Sequence, residues 1–493
     1  MATSPPLTIR NLTATPIELK LVERYEAPGK IEDEGARMSS VEGMTKNFTT
    51  LISNTTAPSA PKLVENSQSF TNQTVNLCIE AFGTSRTEIN HTEKGSTDVL
   101  RLTFEVEGEK HRLNTSIRSN ASTVLTPLTQ SPRYRFTAVF LLQFSHLSLY
   151  YSTNLNSWMR DFKDETPLPA LSIPGTHNSA TYYKALPSVR CQAVSPKEQM
   201  ENGIRFLDIR VQPVYPDDPA KDDLILVHGV FPISLTGAKY FRDLVNEVEA
   251  FLDRNPSETV ILSLKREGPG RAKDAQLSKI LRDHYASDMS RWFTAPRIPF
   301  LGEVRNKIVL MRRFTLDDSL KEEWGGHGWC INAETWAYNT PDDVCPSGDV
   351  CVQDFCEVLE TEYIDKKIKF AEDHLNRAAR FVAPLDGDIF AQNAPTKIPF
   401  HINFLSASNF WRVGCWPEKV AAKLNPAMVD FLCRKHNEDE AIQALEGGKT
   451  RKAGDGSTGI VVCDWVGWNG NWDLVRCIVG MNAKLELRGK STL

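Results

Sequence analysis

The sequence predicts two folds in series: an α/β barrel of the (β/α)8 TIM type over residues 155–493, preceded by an all-β, sandwich-like domain over residues 1–150. Three observations carry this. The first 150 residues alternate apolar and polar side chains in a two-residue period, as in Leu100-Arg101-Leu102-Thr103-Phe104-Glu105-Val106-Glu107. From about residue 155, short β-rich runs alternate with helical spacing instead, the pattern of βα units on a parallel sheet. The remaining 340 or so residues fit seven or eight such units with insertions, a TIM barrel core being typically about 250 residues.

In the N-terminal part, Ile17-Glu18-Leu19-Lys20-Leu21 repeats the alternation, and turn-forming clusters such as Asn54 to Pro61 separate the runs. An antiparallel sandwich follows. This part also holds seven Asn-x-Ser/Thr sites, at Asn11, Asn47, Asn54, Asn72, Asn90, Asn114 and Asn120. A Thr- and Asn-rich sandwich generates such triplets by composition. The opening residues lack the basic start and apolar core of a secretory leader, so composition is the preferred explanation over glycosylation.

The barrel strands begin with Leu171-Ser172-Ile173 and continue through Ile204–Val211, Asp223–His228, Thr259–Lys265, Lys307–Arg312, Ile398–Phe404 and Gly459–Asp464. Between the third and fourth, Phe241, Leu244, Val245, Val248, Phe251 and Leu252 recur at helical spacing, and Asn255-Pro256 ends that helix. Periodicity alone leaves an open, doubly wound sheet as the competing topology.

Composition narrows the partners. With 41% hydrophobic and 24% charged residues and a net charge of -5, the chain is an ordinary globular one without the basic excess of a nucleic-acid binder. Its longest apolar stretch, Ala138 to Tyr151, falls short of the about 20 residues a spanning helix needs. Cytoplasmic residence is the default expectation, with peripheral membrane contact or non-classical export as additions. The ten cysteines, nine of them after residue 190, lack the close pairing of zinc sites and are read as reduced or mixed. Oligomeric state is not legible.

The chemistry lies at strand ends. The predicted strands finish in His177-Asn178, Asp208-Ile209-Arg210, His228-Gly229, Lys265-Arg266-Glu267, Arg312-Arg313 and Asp464-Trp465. In a barrel all these ends open on one rim, where active sites are built. Strands do end in polar residues wherever solvent begins, which accounts for any one of them. It accounts less well for two histidines, an arginine and apolar-flanked aspartates together. Two imidazoles suit acid–base chemistry near neutral pH. Asp464 is suited to orient one of them, and Arg210 offers a planar fork for phosphate oxygens. There is no Gly-rich phosphate loop and no nucleophile elbow. A phosphodiester attacked by the substrate's own hydroxyl fits this set.

These stretches resemble a known family. Ile173-Pro174-Gly175-Thr176-His177-Asn178-Ser179, Gly203 to Arg210, Leu226-Val227-His228-Gly229, Thr259 to Lys265, Val352-Gln353-Asp354-Phe355 and Gly459 to Trp465 are similar, in order, to the motifs of the bacterial-type phosphatidylinositol-specific phospholipase C catalytic domain, a PLC-like phosphodiesterase barrel. The resemblance covers residues 155 to about 485. It implies a phosphoric diester hydrolase or phosphorus–oxygen lyase that yields diacylglycerol and a cyclic inositol phosphate. By it, His177 is general base with Asp464 as partner, His228 is general acid, and Arg210 holds the phosphate. Asp208, Lys265 and Asp354 shape the inositol pocket or support the catalytic groups, and Arg312 or Arg313 reaches the ligand, Arg312 being taken as the substrate contact.

Two departures stand out. Asn178 replaces an aspartate coupled to the acid step in metal-independent members. Calcium-dependent relatives carry Asn there, but place a carboxylate where this chain has Arg210, whose charge repels a cation. The expectation is therefore a site with no cofactor and no metal. Phe355 replaces a tyrosine that packs on the inositol ring.

Weaker signals are read structurally. Trp465, Trp468 and Trp472 are weighed between core packing and a membrane wedge, with packing slightly ahead. His401 and His327 are structural, and Asp217 to Asp223 is a solvated loop. The leading function is cleavage of an inositol phospholipid, or a glycan-linked form, at a membrane surface. One competitor is a phosphodiesterase on another glycerophospho- or sphingolipid, which would need a divalent ion. The other is a catalytically spent lipid- or glycan-binding protein.

Overall fold

A computed structural model describes residues 5–26, 67–90, 98–115, 121–186, 188–218, 220–384, 398–438 and 454–490. Contacts divide the chain into two compact units, 1–152 with 469–473 and 153–468 with 474–493. The turn cluster Asn54–Pro61 and the sites at Asn47, Asn54 and Asn120 lie outside the described residues.

Among the described residues the first unit has ten strands. They are β1 Pro6–Asn11, β2 Ile17–Tyr25, β3 Thr71–Ile79, β4 Thr84–Asn90, β5 Val99–Val106, β6 Glu109–Asn114, β7 Ala121–Val124, β8 Thr126–Pro127, β9 Phe136–Leu141 and β10 His146–Tyr151. Two five-stranded sheets result, β4-β1-β10-β9-β7 and β3-β2-β5-β6-β8. Their inner faces share one core, in which Leu7, Ile9, Leu147 and Leu149 of one sheet join Ile17, Leu19, Leu102 and Phe104 of the other. The alternation read at 100–107 holds: Leu100, Leu102, Phe104 and Val106 are at most 1% exposed, while Arg101 and Glu105 are half-buried. The pairing is not wholly antiparallel, because β1 runs parallel to β10. Asn11 is fully buried, donating to the carbonyls of Thr15, Ile79 and Glu80 and accepting from Thr13. An amide so engaged cannot carry a glycan in the folded chain, in keeping with the compositional explanation.

The second unit contains a TIM-type barrel. Its strands are β11 Ile173–Thr176, β12 Phe206–Pro213, β13 Leu224–His228, β14 Phe231–Pro232, β15 Val260–Arg266, β16 Trp292–Phe293, β17 Ile308–Arg313, β18 Ile331–Asn332, β19 Thr340–Val344, β20 Val350–Asp354, β21 Phe400–Phe404 and β22 Ile460–Cys463. Parallel pairing runs β18-β17-β15-β12-β11-β22-β21-β20. The first strand therefore pairs with both the second and the last, which turns the sheet back on itself as a barrel requires. The expectation of a closed (β/α)8 sheet needs correction. Among the described residues no backbone ladder joins β18 to β20, and that seam is crossed by the Ser347 hydroxyl donating to the Asn332 carbonyl at 2.7 Å.

The run ending at His228 also differs from its expected role. It is not a parallel barrel strand but a hairpin arm, β13, antiparallel to β12 through Val211↔Leu226. The ten residues between them are too few for a parallel crossover, which takes a dozen or more. Helix α1 (Phe241–Arg254) buries Phe241, Leu244, Val245, Val248, Phe251 and Leu252, as their spacing predicts. No helix among the described residues is long and apolar enough to cross a membrane, and all ten cysteines are free thiols.

Candidate active site

The strand ends surround a cavity of about 520 Å³ lined by His177, Asn178, Arg210, His228, Lys265, Asp354 and Asp464, among others. His177 follows β11 directly and extends its pairing, its N–H donating to the Cys463 carbonyl at 3.0 Å. Asn178 then takes a positive φ of 41°, a left-handed conformation asparagine tolerates. This turn brings its N–H to 3.2 Å from Asp208 Oδ2. The two imidazole rings stand 6.1 Å apart, edge to face.

Each histidine has its tautomer set from behind. His177 Nδ1 donates to Asp464 Oδ1 at 3.0 Å, which leaves Nε2 toward the cavity, 3.0 Å from the Asn178 amide nitrogen. His228 Nδ1 lies 2.8 Å from the Val189 carbonyl. A carbonyl only accepts, so Nδ1 carries a proton and Nε2 is the atom left for exchange. Burial disfavours charge on His177, but the Asp464 carboxylate and the Cys191 thiol outweigh it and hold its pKa well above the ordinary value. His228 is raised in the same way: burial works against its charge, while Cys191 favours it.

Arg210 is clamped between two carboxylates. Nε and Nη2 donate to Asp208, the latter at 2.7 Å, and Nη1 donates to Glu267 at 2.6 Å. Of its five N–H groups, three are so engaged and two remain for a ligand. Burial alone would raise the pKa of Asp208, yet Arg210 and Arg313 reverse this and hold it below the usual range. Glu267 is depressed similarly, against its burial, by Arg210, Lys265 and the Gly229 N–H.

Register decides which of two adjacent arginines faces inward. Arg210 lies beside Lys265, and Lys265 beside Arg313. Register partners in a parallel sheet share a face, so Arg313 lines the cavity, over the Trp336 ring at 3.9 Å. Arg312 points away, donating to the carbonyls of Trp329 and Phe314 and to Glu334. Arg312, expected at the ligand, therefore does not line the cavity, whereas Arg313 does. Asp208 is fully buried beneath the cavity floor rather than lining it. Phe355 is turned from the cavity and packs on Phe370 at 5.1 Å, and the aromatic lining is Trp336, Tyr338 and Phe404 instead.

Sequence reasoning passed over three groups. Gln192 is fully buried and its Nε2 donates to the His177 carbonyl at 2.6 Å, the Cys463 carbonyl at 3.0 Å and Asp464 Oδ1 at 3.4 Å, fixing the acid–base pair. Cys191, also buried, sits 3.9 Å from His228 Nδ1. Glu267 closes the Arg210 clamp. Its place in Lys265-Arg266-Glu267, two residues beyond a chosen lysine on the same strand face, was the available signal. The tryptophans divide: Trp472 is buried, Trp465 half-buried and Trp468 exposed. His401 and the exposed His327 lie off the cavity.

Residues 165–314 match the family model described as phosphatidylinositol-specific phospholipase C, X domain. A 1-phosphatidylinositol phosphodiesterase of Listeria monocytogenes is 34% identical over 170 residues, 32% of this chain and 49% of that protein, so the chain spans about half the length of this relative. A protein of the same name from Staphylococcus aureus is 25% identical over 356 residues, 69% of this chain and 97% of its own. A solved point mutant of the Staphylococcus aureus phosphatidylinositol-specific phospholipase C superposes with a TM-score of 0.50 and 22% identity, over 67% of this chain and 98% of that one, a likeness of fold. Over residues 165–314 the chain is thus similar to the phosphatidylinositol-specific phospholipase C X domain, and the two relatives above are bacterial proteins.

Proposed function

We propose that the chain is a phosphatidylinositol-specific phospholipase C that cleaves its lipid into diacylglycerol and a cyclic inositol phosphate. The observation that carries this is the pair of imidazoles 6.1 Å apart, each with its Nδ1 engaged behind it, sharing one cavity with Arg210. In this reading His177 Nε2 takes the proton of the inositol 2-hydroxyl, and Asp464 stabilises the imidazolium formed. The hydroxyl oxygen attacks phosphorus, Arg210 offsets the charge on the equatorial oxygens, and His228 Nε2 gives its proton to the departing diacylglycerol oxygen. Asn178 and Gln192 hold the bases in place. Lys265, Asp354 and Arg313 bind the headgroup hydroxyls and phosphate, with Asp208 supporting both arginines.

The lipid surface is met by aromatic and aliphatic side chains beside the cavity mouth. Val230, Trp411 and Val413 are 61%, 86% and 59% exposed, and Phe231 stacks on Phe410 at 6.0 Å. Their chain neighbours Gly229 and Ser408 line the cavity, and such side chains favour the water–lipid boundary. We infer peripheral membrane contact from a cytoplasmic location, a reducing compartment suiting ten free thiols. The domain reading is residues 1–150 as a sandwich that positions a catalytic domain at 155–493. Vesicle co-sedimentation of the full chain and of one lacking residues 1–150 tests it, and equal binding speaks against it.

Phosphorus NMR of phosphatidylinositol vesicles incubated with the protein tests the activity. The expected result is a cyclic phosphodiester signal that is absent with His177→Ala; unchanged lipid with the unaltered chain refutes the proposal. Turnover is expected to be unaffected by a strong chelator, because Arg210 supplies the charge at the phosphate. Loss of activity on chelation, restored by calcium, would sink that part.

A further inference from the structure

We propose that Cys191, His177 and Asp464 form a binding site for a thiophilic divalent cation such as zinc, and that occupancy of this site shuts off the acid–base pair. The inhibitory consequence rests on the proposed function; the binding does not. One donor atom from each residue lies within 4.8 Å of the other two. A zinc ion with nitrogen, sulfur and oxygen ligands at 2.0–2.3 Å holds them about 3.5 Å apart. His177 Nδ1 and Asp464 Oδ1 are already at 3.0 Å, so the Cys191 side chain must close by about 1 Å. Imidazole, thiolate and carboxylate together make a borderline-soft set that selects zinc-like ions over calcium or magnesium.

A second observation concerns two buried amides at the edge of the cluster. Asn178 Oδ1 and Gln192 Oε1 are buried side-chain oxygens with no hydrogen-bond partner. Asn178 and Gln192 are 3% and 0% exposed. Their amide ends sit within the cluster: Asn178 Nδ2 lies 3.0 Å from His177 Nε2 and 4.0 Å from Cys191 Sγ, and Gln192 Nε2 lies 3.4 Å from Asp464 Oδ1. Orphaned buried acceptors are rare and call for a partner. No lysine or arginine among the described residues is in ion-pair distance of Asp464, whose recorded partner is His177. A cation here would meet a carboxylate, an imidazole and a thiol. His177, Asn178 and Asp464 line the cavity, and Cys191 is buried behind them.

Binding balances simply. The Cys191 S–H bond breaks, its proton leaves to solvent, and the sulfur lone pair forms the metal bond. The proton on His177 Nδ1 moves to Nε2, the Nδ1 lone pair so freed goes to the metal, and Nε2, now an N–H, can no longer take the proton of the substrate hydroxyl. Nothing is oxidised or reduced. The site is therefore inhibitory, not a cofactor site.

Isothermal titration of the full chain with zinc chloride, beside Cys191→Ser and a Cys356→Ser control, tests this. The expected result is one zinc whose affinity falls at least about tenfold in Cys191→Ser, the smaller loss known even for outer-sphere partners of metal sites, and is unchanged in Cys356→Ser. Unchanged affinity and stoichiometry in Cys191→Ser overturns the inference. Should that variant not fold, cadmium soaked into crystals of the unaltered chain gives an anomalous peak within bonding distance of Cys191 Sγ, or elsewhere, which refutes the site. Zinc is also expected to suppress phosphatidylinositol cleavage, with Cys191→Ser at least about tenfold less sensitive. A chain that binds zinc through Cys191 yet never cleaves lipid refutes the proposed function and leaves the site standing. A chain that cleaves lipid but shows no Cys191-dependent zinc binding refutes the site alone.

Discussion

Exchanging Asp464 for asparagine separates the charge behind His177 from its geometry. In many carboxylate–histidine pairs an amide admits the wrong tautomer, and the loss reaches about 10⁴ in kcat. Here one oxygen, Oδ1, receives both His177 Nδ1 at 3.0 Å and Gln192 Nε2 at 3.4 Å. Two donors converge on that position, so the amide oxygen of the substitute belongs there and its NH2 on the other side. The Nδ1 tautomer survives and only the charge is lost. A hydrogen bond to a charged acceptor contributes about 1.5–3 kcal/mol and a neutral one about 0.5–1.5. The difference of about 1–2 kcal/mol corresponds to about 5- to 30-fold in rate. Asp464→Ala removes the acceptor and frees the ring, and about 10²–10⁴ is expected, the full contribution of a general base. The pH profile supplies a second readout. Burial lowers and Asp464 raises the His177 pKa; with the charge removed, burial remains, and the acid limb of kcat/KM moves to lower pH. The assay is initial-rate cleavage of phosphatidylinositol in mixed micelles from pH 4 to 9, a range about the ordinary histidine value. If Asp464→Asn is as slow as Asp464→Ala, or its acid limb moves upward, the orienting role of Gln192 and the tautomer argument are both wrong.

Arg210→Lys, which cannot span Asp208, Glu267 and a phosphate together, is expected to lower kcat by about 10²–10³ with vesicle binding unchanged, measured in the same assay; a loss under tenfold would falsify the phosphate role. Asp208→Asn leaves Arg210 and Arg313 buried without their shared anion and should destabilise the second unit by about 3–5 kcal/mol in urea unfolding. Because the folded pKa of Asp208 is depressed, the stability it contributes is present above its unfolded value of about 3.9 and is lost as pH falls through the folded one; an Asp208→Asn chain equally stable near pH 7 contradicts this. Arg313→Ala should raise KM about tenfold or more through lost charged hydrogen bonds, whereas Arg312→Ala should alter thermal stability and leave KM alone, and the reverse pattern would overturn the register argument.

Why the strand-end residues were legible is a matter of periodicity. An apolar run that ends in His, Asp or Arg marks a strand and its C-terminal edge at once, and a barrel gathers all such edges. His177, Arg210, His228, Lys265, Asp354 and Asp464 therefore came together from spacing and motif. Arg312 could not be distinguished from Arg313, since the choice depends on where β17 sits against β15, and no local pattern carries inter-strand register. His228 reached the cavity on a hairpin arm instead of a barrel strand, so its placement followed from the short link to β12 and not from the βα repeat. Cys191 and Gln192 lie in a loop without periodicity. Their contacts include one that spans 272 residues, beyond any local reading.

The charges around the phosphate position form a matched set. Arg210, Arg313 and Lys265 bring three positive charges, and Asp208 and Glu267, which pair with them, bring two negative ones. Among these five ion-paired side chains one net positive charge remains, beside the carboxylate of Asp354. A phosphodiester carries one negative charge and an ordinary phosphomonoester nearly two at neutral pH. The clamp thus answers a diester with balance and a monoester with an excess anion, close to Asp354 and Asp464. A site built only to hold phosphate would leave its arginines unpaired. Here the carboxylates hold Arg210 by three of its N–H groups and trim the positive field around the cavity. Under the proposed function, this arrangement would favour a phosphodiester over a phosphomonoester.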